Sequence, residues 1–163
     1  MEEPVRFSTL HMQVSPPHGG DTMWSSQVAA YDALSDRMKA HLDGLTAHHS
    51  AHVNRPELCA QHPVVTRHPL TDRRSLFTNN LFTRSIADMD PLESKALLDF
   101  LAAHSTRPEF TCRWQWRAGD LAIWDNHYVQ HYAVGDYTAD RKIHRIEVRK
   151  VAPLDAVAEY TPA

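Results

Sequence analysis

Apolar and polar positions alternate near both ends of the chain, and a longer period marks its middle. Residues 7–14 mix apolar and polar side chains near period two and predict a strand. Pro16-Pro17-His18-Gly19-Gly20-Asp21 predicts a turn, and Thr22-Met23-Trp24 a short β segment. Ser25-Ser26 caps a helix over 27–34, and Ser35 caps a second that ends near Gly44. Residues 45–49 predict a strand, and 50–61, which lack a clear period, a loop. Residues 63–70 and 75–78 predict a hairpin across Thr71-Asp72-Arg73-Arg74. The strongest helix signal covers 90–104. Asp90 is its cap, Pro91 its first residue, Glu93 follows three after the cap, and Leu92, Ala96, Leu97, Phe100 and Leu101 form its apolar face. Residues 110–116, 121–124 and 143–151 predict strands; over 113–117 polar and aromatic residues alternate, as in a half-buried antiparallel strand.

Strands at both ends with helices between them predict a mostly β, α+β fold: an antiparallel sandwich or jelly roll with inserted helices, one domain over 1–163. Chain order leaves the topology open.

Composition narrows the function classes. Of 163 residues, 42% are apolar and 23% charged, which suits a globular domain. The net charge is -3 with no basic block, which argues against a nucleic-acid or anionic-membrane surface. No apolar run approaches the ~18 residues of a membrane-spanning helix, and Met1-Glu2-Glu3-Pro4 is unlike a signal peptide. Cys59 and Cys112 lack metal-type spacing and point to a reduced, cytoplasmic setting.

Twelve histidines stand out, because imidazole is the commonest metal ligand. The densest chemistry lies in Gly119-Asp120-Leu121-Ala122-Ile123-Trp124-Asp125-Asn126-His127, which leads to His131. Arg141 and Arg145 follow, four residues apart. One imidazole on a metal and one arginine forking a carboxylate form the minimal site for a metal-bound oxo acid. Spacing alone leaves open a core histidine with surface arginines. A histidine-rich metal buffer would need clustered ligands, and only His48-His49 with His52 comes near. No Gly-x-Ser-x-Gly and no paired catalytic carboxylates are found, so hydrolase chemistry finds no support.

Four stretches resemble the taurine dioxygenase family of iron(II)- and 2-oxoglutarate-dependent oxygenases. They are Gly19-Gly20-Asp21-Thr22-Met23-Trp24 with 29–35; His62-Pro63-Val64-Val65; Trp114-Gln115-Trp116 with 119–126; and Gln130-His131-Tyr132-Ala133 with Asp136-Tyr137, ending in Arg141-Lys142-Ile143-His144-Arg145. The resemblance implies a double-stranded β-helix, or jelly roll. It implies that His131 is the distal histidine of a two-His, one-carboxylate iron(II) triad. Thr22 and Arg141 would hold the distal carboxylate of the cosubstrate 2-oxoglutarate, and Arg145 would lie near the substrate anion. Phe82 would line the substrate pocket, and Trp124, Asp125 and Asn126 would shape the strand that presents His131. Asp120 and His144 match motif positions but suit structural roles, and His127 is not expected to be a ligand. The implied reaction uses dioxygen, converts 2-oxoglutarate to succinate and carbon dioxide, and hydroxylates a small anion such as a sulfonate, alkyl sulfate or aryloxy acid.

The family's other two ligands form a His-x-Asp pair upstream of the threonine, and counting back from Thr22 passes Met1 before reaching it. The one His-x-Asp present, His41-Leu42-Asp43, lies in a predicted surface helix and out of family order. The fold is therefore expected to be incomplete at the N-terminus: a late start, a fragment, or an inactive jelly-roll module lacking the iron ligands. An open sheet edge and an uncovered apolar face then lead to an expected homo-oligomer.

Overall fold

The computed structural model describes residues 4–50 and 59–149. The loop expected over 50–61 and the end of the strand expected over 143–151 fall partly outside them.

The first wall of the fold is a three-stranded antiparallel sheet. Its central strand, β1 (Phe7–Val14), pairs with β9 (Leu121–Asp125) on one side and β11 (Lys142–Val148) on the other. Period-two patterning places Ser8, Leu10 and Met12 on the buried face of β1. The second wall is also antiparallel, with β2 (Thr22–Ser26) between β8 (Thr111–Trp114) and β10 (Val129–Ala133). Between the walls lies a core of Leu10, Met12, Trp116 and Trp124, joined by Trp24, Ala122, Val129 and Ile143. Trp24 meets the Trp116 ring at 6.1 Å and the Trp124 ring at 5.5 Å, so three indoles fill the gap. These are jelly-roll walls, as the sequence implied.

A second core lies under the helices. It holds Ala30, Tyr31, Leu34, Leu42, Ala47, Val64, Leu76, Ile86, Leu97 and Leu101. It gathers α1 (Gln27–Asp32), α2 (Asp36–Leu42) and α3 (Pro91–Ser105) against two small antiparallel sheets. One sheet is β4 (Ala60–Pro63), β3 (Thr46–His49) and β7 (Thr83–Ile86); the other is the hairpin β5 (Val65–Arg67) and β6 (Arg74–Leu76). The expected serine caps are in place: Ser26 Oγ accepts the Ala29 N–H and Ser35 Oγ the Met38 N–H, both at 3.2 Å. Asp90 Oδ1 caps α3 through the Leu92 N–H at 2.8 Å.

Several expectations need correction. The buried face of α3 is Ser94, Leu97, Leu101, His104 and Ser105, while Leu92 is 79% and Phe100 42% exposed. Polar Ser94 is buried because its Oγ caps the Ile86 N–H, and His104 because its Nε2 bonds Ala30 O, each at 2.8 Å. The loop expected up to 61 gives way to β4, which pairs with β3 and takes Pro63 out of the hairpin. Pro108–Phe110 forms a 3-10 turn that delays β8 to Thr111, and β8 stops at Trp114, so Trp116 turns into the core after the strand has ended.

Candidate functional site

The site forms on the inner face of the second wall. Cross-strand pairing sets Thr22 opposite Ala133 and Trp24 opposite His131, so Thr22, Trp24 and His131 project from one face. Thr22 is 1% exposed, and its Oγ1 accepts the Trp116 indole N–H at 2.9 Å. With that lone pair used, the Thr22 hydroxyl keeps its proton to donate to a further acceptor. The Gly-Gly turn before Thr22 fixes its approach. Both glycines have φ of +71°, and a Cβ on Gly19 would stand 2.5 Å from Asp136 O, so no side chain fits.

Arg141 arrives from the loop before β11. Its Nε donates to Gly20 O at 2.9 Å, and its guanidinium lies 5.7 Å from the Tyr137 ring centre. This anchorage leaves the two Nη groups as a fork for a carboxylate. Arg141 is thus anchored on the turn that leads into Thr22.

His131 is not a core histidine. The residue is exposed, but its ring packs on Trp124 at 4.9 Å. Desolvation against the protein and the nearby positive charge of Arg145 push its pKa below the ordinary imidazole value. The ring is therefore neutral at pH 7, the state a metal ligand requires. The turn before β10 is pinned: Asp125 Oδ2 pairs with Arg6 Nε at 2.6 Å, Asp125 Oδ1 accepts the His127 N–H at 2.9 Å, and Asn126 donates to Ser8 Oγ at 2.8 Å while accepting the Trp124 indole N–H. Arg145 shares a face of β11 with Glu147 and forms an ion pair with it. Phe82 is 43% exposed on a turn where Asn79 Oδ1 accepts its N–H at 2.8 Å. Asp120 is structural: its Oδ2 accepts the Trp114 indole and the Arg117 N–H. His144 lies opposite His11 across β11 and β1, and His41-Leu42-Asp43 is on α2 and its C-cap.

The donor set suits the carboxylate end of a dicarboxylate and one imidazole arm of a metal site. Among the described residues no group of three His, Cys, Asp or Glu side chains could hold a metal ion, so the metal site is not complete within them.

Two arrangements were not found by sequence reasoning. Arg113 bridges Asp21 Oδ2 at 2.6 Å and Asp136 Oδ2 at 3.0 Å, beside the Gly-Gly turn. Asp21 and Asp136 were visible in motifs, but their common partner on β8 was not. The second is a ring cluster on Phe77, which lies 5.6 Å from His49, 5.5 Å from His62 and 5.3 Å from His127. The His49 and His127 Nε2 atoms are buried without a hydrogen-bond partner. Burial, then the nearby His62 and His48, push the His49 pKa down to about 4.

Residues 1–147 match the model of a family described as taurine catabolism dioxygenase TauD, TfdA family. An alpha-ketoglutarate-dependent sulfate ester dioxygenase of Pseudomonas putida is 35% identical over 91% of the chain and 56% of its own length. The crystal structure of a taurine dioxygenase from Burkholderia xenovorans superposes with a TM-score of 0.84 at 40% identity, over 90% of the chain and 53% of that protein. A structure of AAD-2 in complex with Mn(II) and N-oxalylglycine gives a TM-score of 0.85 at 32% identity, over 93% and 66%. The chain spans about half the length of the curated relatives it matches.

Proposed function

Since the chain belongs to the TauD, TfdA family of dioxygenases, we propose that it supplies the 2-oxoglutarate-binding part of an iron(II)-dependent enzyme that hydroxylates a small anion. The observation that carries this is the Trp116–Thr22–Gly20–Arg141 arrangement, in which one turn anchors a guanidinium and leads into a polarised hydroxyl. Thr22 donates to the distal carboxylate of 2-oxoglutarate and Arg141 forks it. His131 is one ligand of the iron(II), and the remaining ligands come from outside the described residues. Arg145 faces the substrate anion, a sulfonate, alkyl sulfate or aryloxy acid, and Phe82 belongs to the wall of its pocket. The products are succinate, carbon dioxide and the hydroxylated anion.

The exposed thiols of Cys59 and Cys112 suit a reducing compartment, the cytoplasm. The outer face of the first wall exposes Leu121 by 61%, Ile123 by 65% and Ile146 by 65%, which supports self-association.

Calorimetric titration with 2-oxoglutarate tests the site. The folded chain is expected to bind it, and Arg141→Ala to weaken binding at least tenfold. A folded chain with no affinity for 2-oxoglutarate overturns the proposal. An anaerobic iron(II) and 2-oxoglutarate titration followed by visible absorption, with His131→Ala as control, tests the metal arm separately.

A further inference from the structure

We infer that Asp136, acting with Arg113, is a positioning residue for the 2-oxoglutarate seat, holding the Gly19-Gly20 turn so that Thr22 and Arg141 address the same carboxylate. This rests on the assignment of Thr22 and Arg141 above.

The carboxylate of Asp136 is divided between two partners. Oδ1 accepts the Gly20 N–H at 2.8 Å, and Oδ2 accepts Arg113 Nη2 at 3.0 Å. Arg113 Nε in turn donates to Asp21 Oδ2 at 2.6 Å, and Asp21 is 4% exposed. Gly20 is therefore held at both polar atoms: its N–H by Asp136 and its carbonyl by Arg141 Nε at 2.9 Å. Val134 N–H closes the other end of the loop on Asp21 O at 2.9 Å. Each bond of this clasp joins the Gly-Gly turn, β8 or the loop that delivers Arg141.

Chemistry and exposure separate positioning from the alternatives. Asp136 is an anion and repels the carboxylate that Arg141 is proposed to bind, so its effect runs through Gly20 and Arg113. The side chains of Arg113 and Asp136 are 47% and 45% exposed, and such ion pairs contribute little to global stability. A Cβ on Gly19 would meet Asp136, and one on Gly20 would meet Pro16 and Arg141, so the turn leaves little room for Asp136 to shift without moving the turn that anchors Arg141 and leads into Thr22. The Gly20 N–H bond and Arg113 hold the Asp136 carboxyl below the usual carboxylate range, so it stays ionised in this role at neutral pH.

The test is a double-mutant cycle read by calorimetric 2-oxoglutarate affinity, with circular dichroism and thermal melting as checks on the fold. Asp136→Ala is expected to weaken binding about tenfold with little change in melting temperature. Asp136→Asn keeps an acceptor for Gly20 N–H and is expected to recover most of that loss. In an Arg141→Ala background, Asp136→Ala is expected to add little. Should Asp136→Ala fail to fold, Arg113→Gln replaces it, with weakened affinity again expected and again absorbed by Arg141→Ala. The inference is overturned if these variants bind like the parent chain, or if their losses are undiminished in the Arg141→Ala background. A parent chain that does not bind 2-oxoglutarate instead overturns the site assignment, and this inference with it.

Discussion

Trp116 donates its indole N–H to Oγ1 of Thr22 across 2.9 Å, linking a residue beyond the end of β8 to the first residue of β2. The bond decides which way the buried hydroxyl turns. Trp116→Phe keeps most of the ring volume and removes the donor. It is expected to weaken 2-oxoglutarate binding about fivefold, the effect of one neutral hydrogen bond worth about 1 kcal/mol. Thr22→Val is expected to weaken it at least as much. Paired calorimetric titrations check both, and a Phe variant with unchanged affinity would separate Trp116 from the site.

The Phe77 ring cluster makes stability depend on pH. His49 titrates near 4 in the folded chain, against an ordinary 6.5. As pH falls from 6.5 towards 4, the unfolded chain takes up a proton that folded His49 refuses, so the folded state loses ground. The sign is destabilisation on acidification, complete below about pH 4 and amounting to roughly 3 kcal/mol. Urea midpoints at pH 7 and pH 4.5 should fall less steeply in His49→Asn than in the parent. An equal fall would assign the acid sensitivity elsewhere.

Helix α3 offers a contrast between two leucines that look alike in sequence. Leu101 is fully buried, and Leu101→Ala is expected to cost 2 to 5 kcal/mol, with the spread set by how far the site collapses, about as in other cores. Leu92 is 79% exposed, and Leu92→Ala is expected to change stability by no more than about 0.5 kcal/mol. Urea denaturation of the two variants measures the difference directly.

The outer face of the first wall predicts concentration-dependent association. Ile123 and Ile146 both flank Thr9 on that face. Ile123→Lys with Ile146→Lys is expected to shift sedimentation towards a single small species. A parent chain that sediments as a monomer at all concentrations would remove the homo-oligomer from the proposal.

Strands β1 and β9 were legible because local patterning and core burial agree there. The helix caps were legible too, because Ser26, Ser35 and Asp90 act on backbone within three residues of themselves. The apolar face of α3 was misjudged because buried Ser94 and His104 answer to partners in β7 and α1, beyond any local pattern. Strands β4 and β7 were missed for a related reason: His62, Arg84 and Ser85 carry no β signature, and both strands form by flanking β3. At the site, motifs named Thr22 and Arg141 individually. The anchoring of Arg141 on Gly20, and the clasp of Arg113 on Asp21 and Asp136, depend on residues brought together from far apart in the chain.

That separation has a kinetic consequence. The Gly20–Asp136 and Gly20–Arg141 bonds span 116 and 121 residues, and β1 cannot acquire β11 until nearly the whole described chain exists. During synthesis the helical core can assemble from nearby segments, while β1 and β2 wait for β8 to β11. Closing such long loops before any contact repays the lost chain entropy makes slow folding the expectation. The seat for the dicarboxylate is then among the last parts of the molecule to form, and its arrival marks completion of the native state.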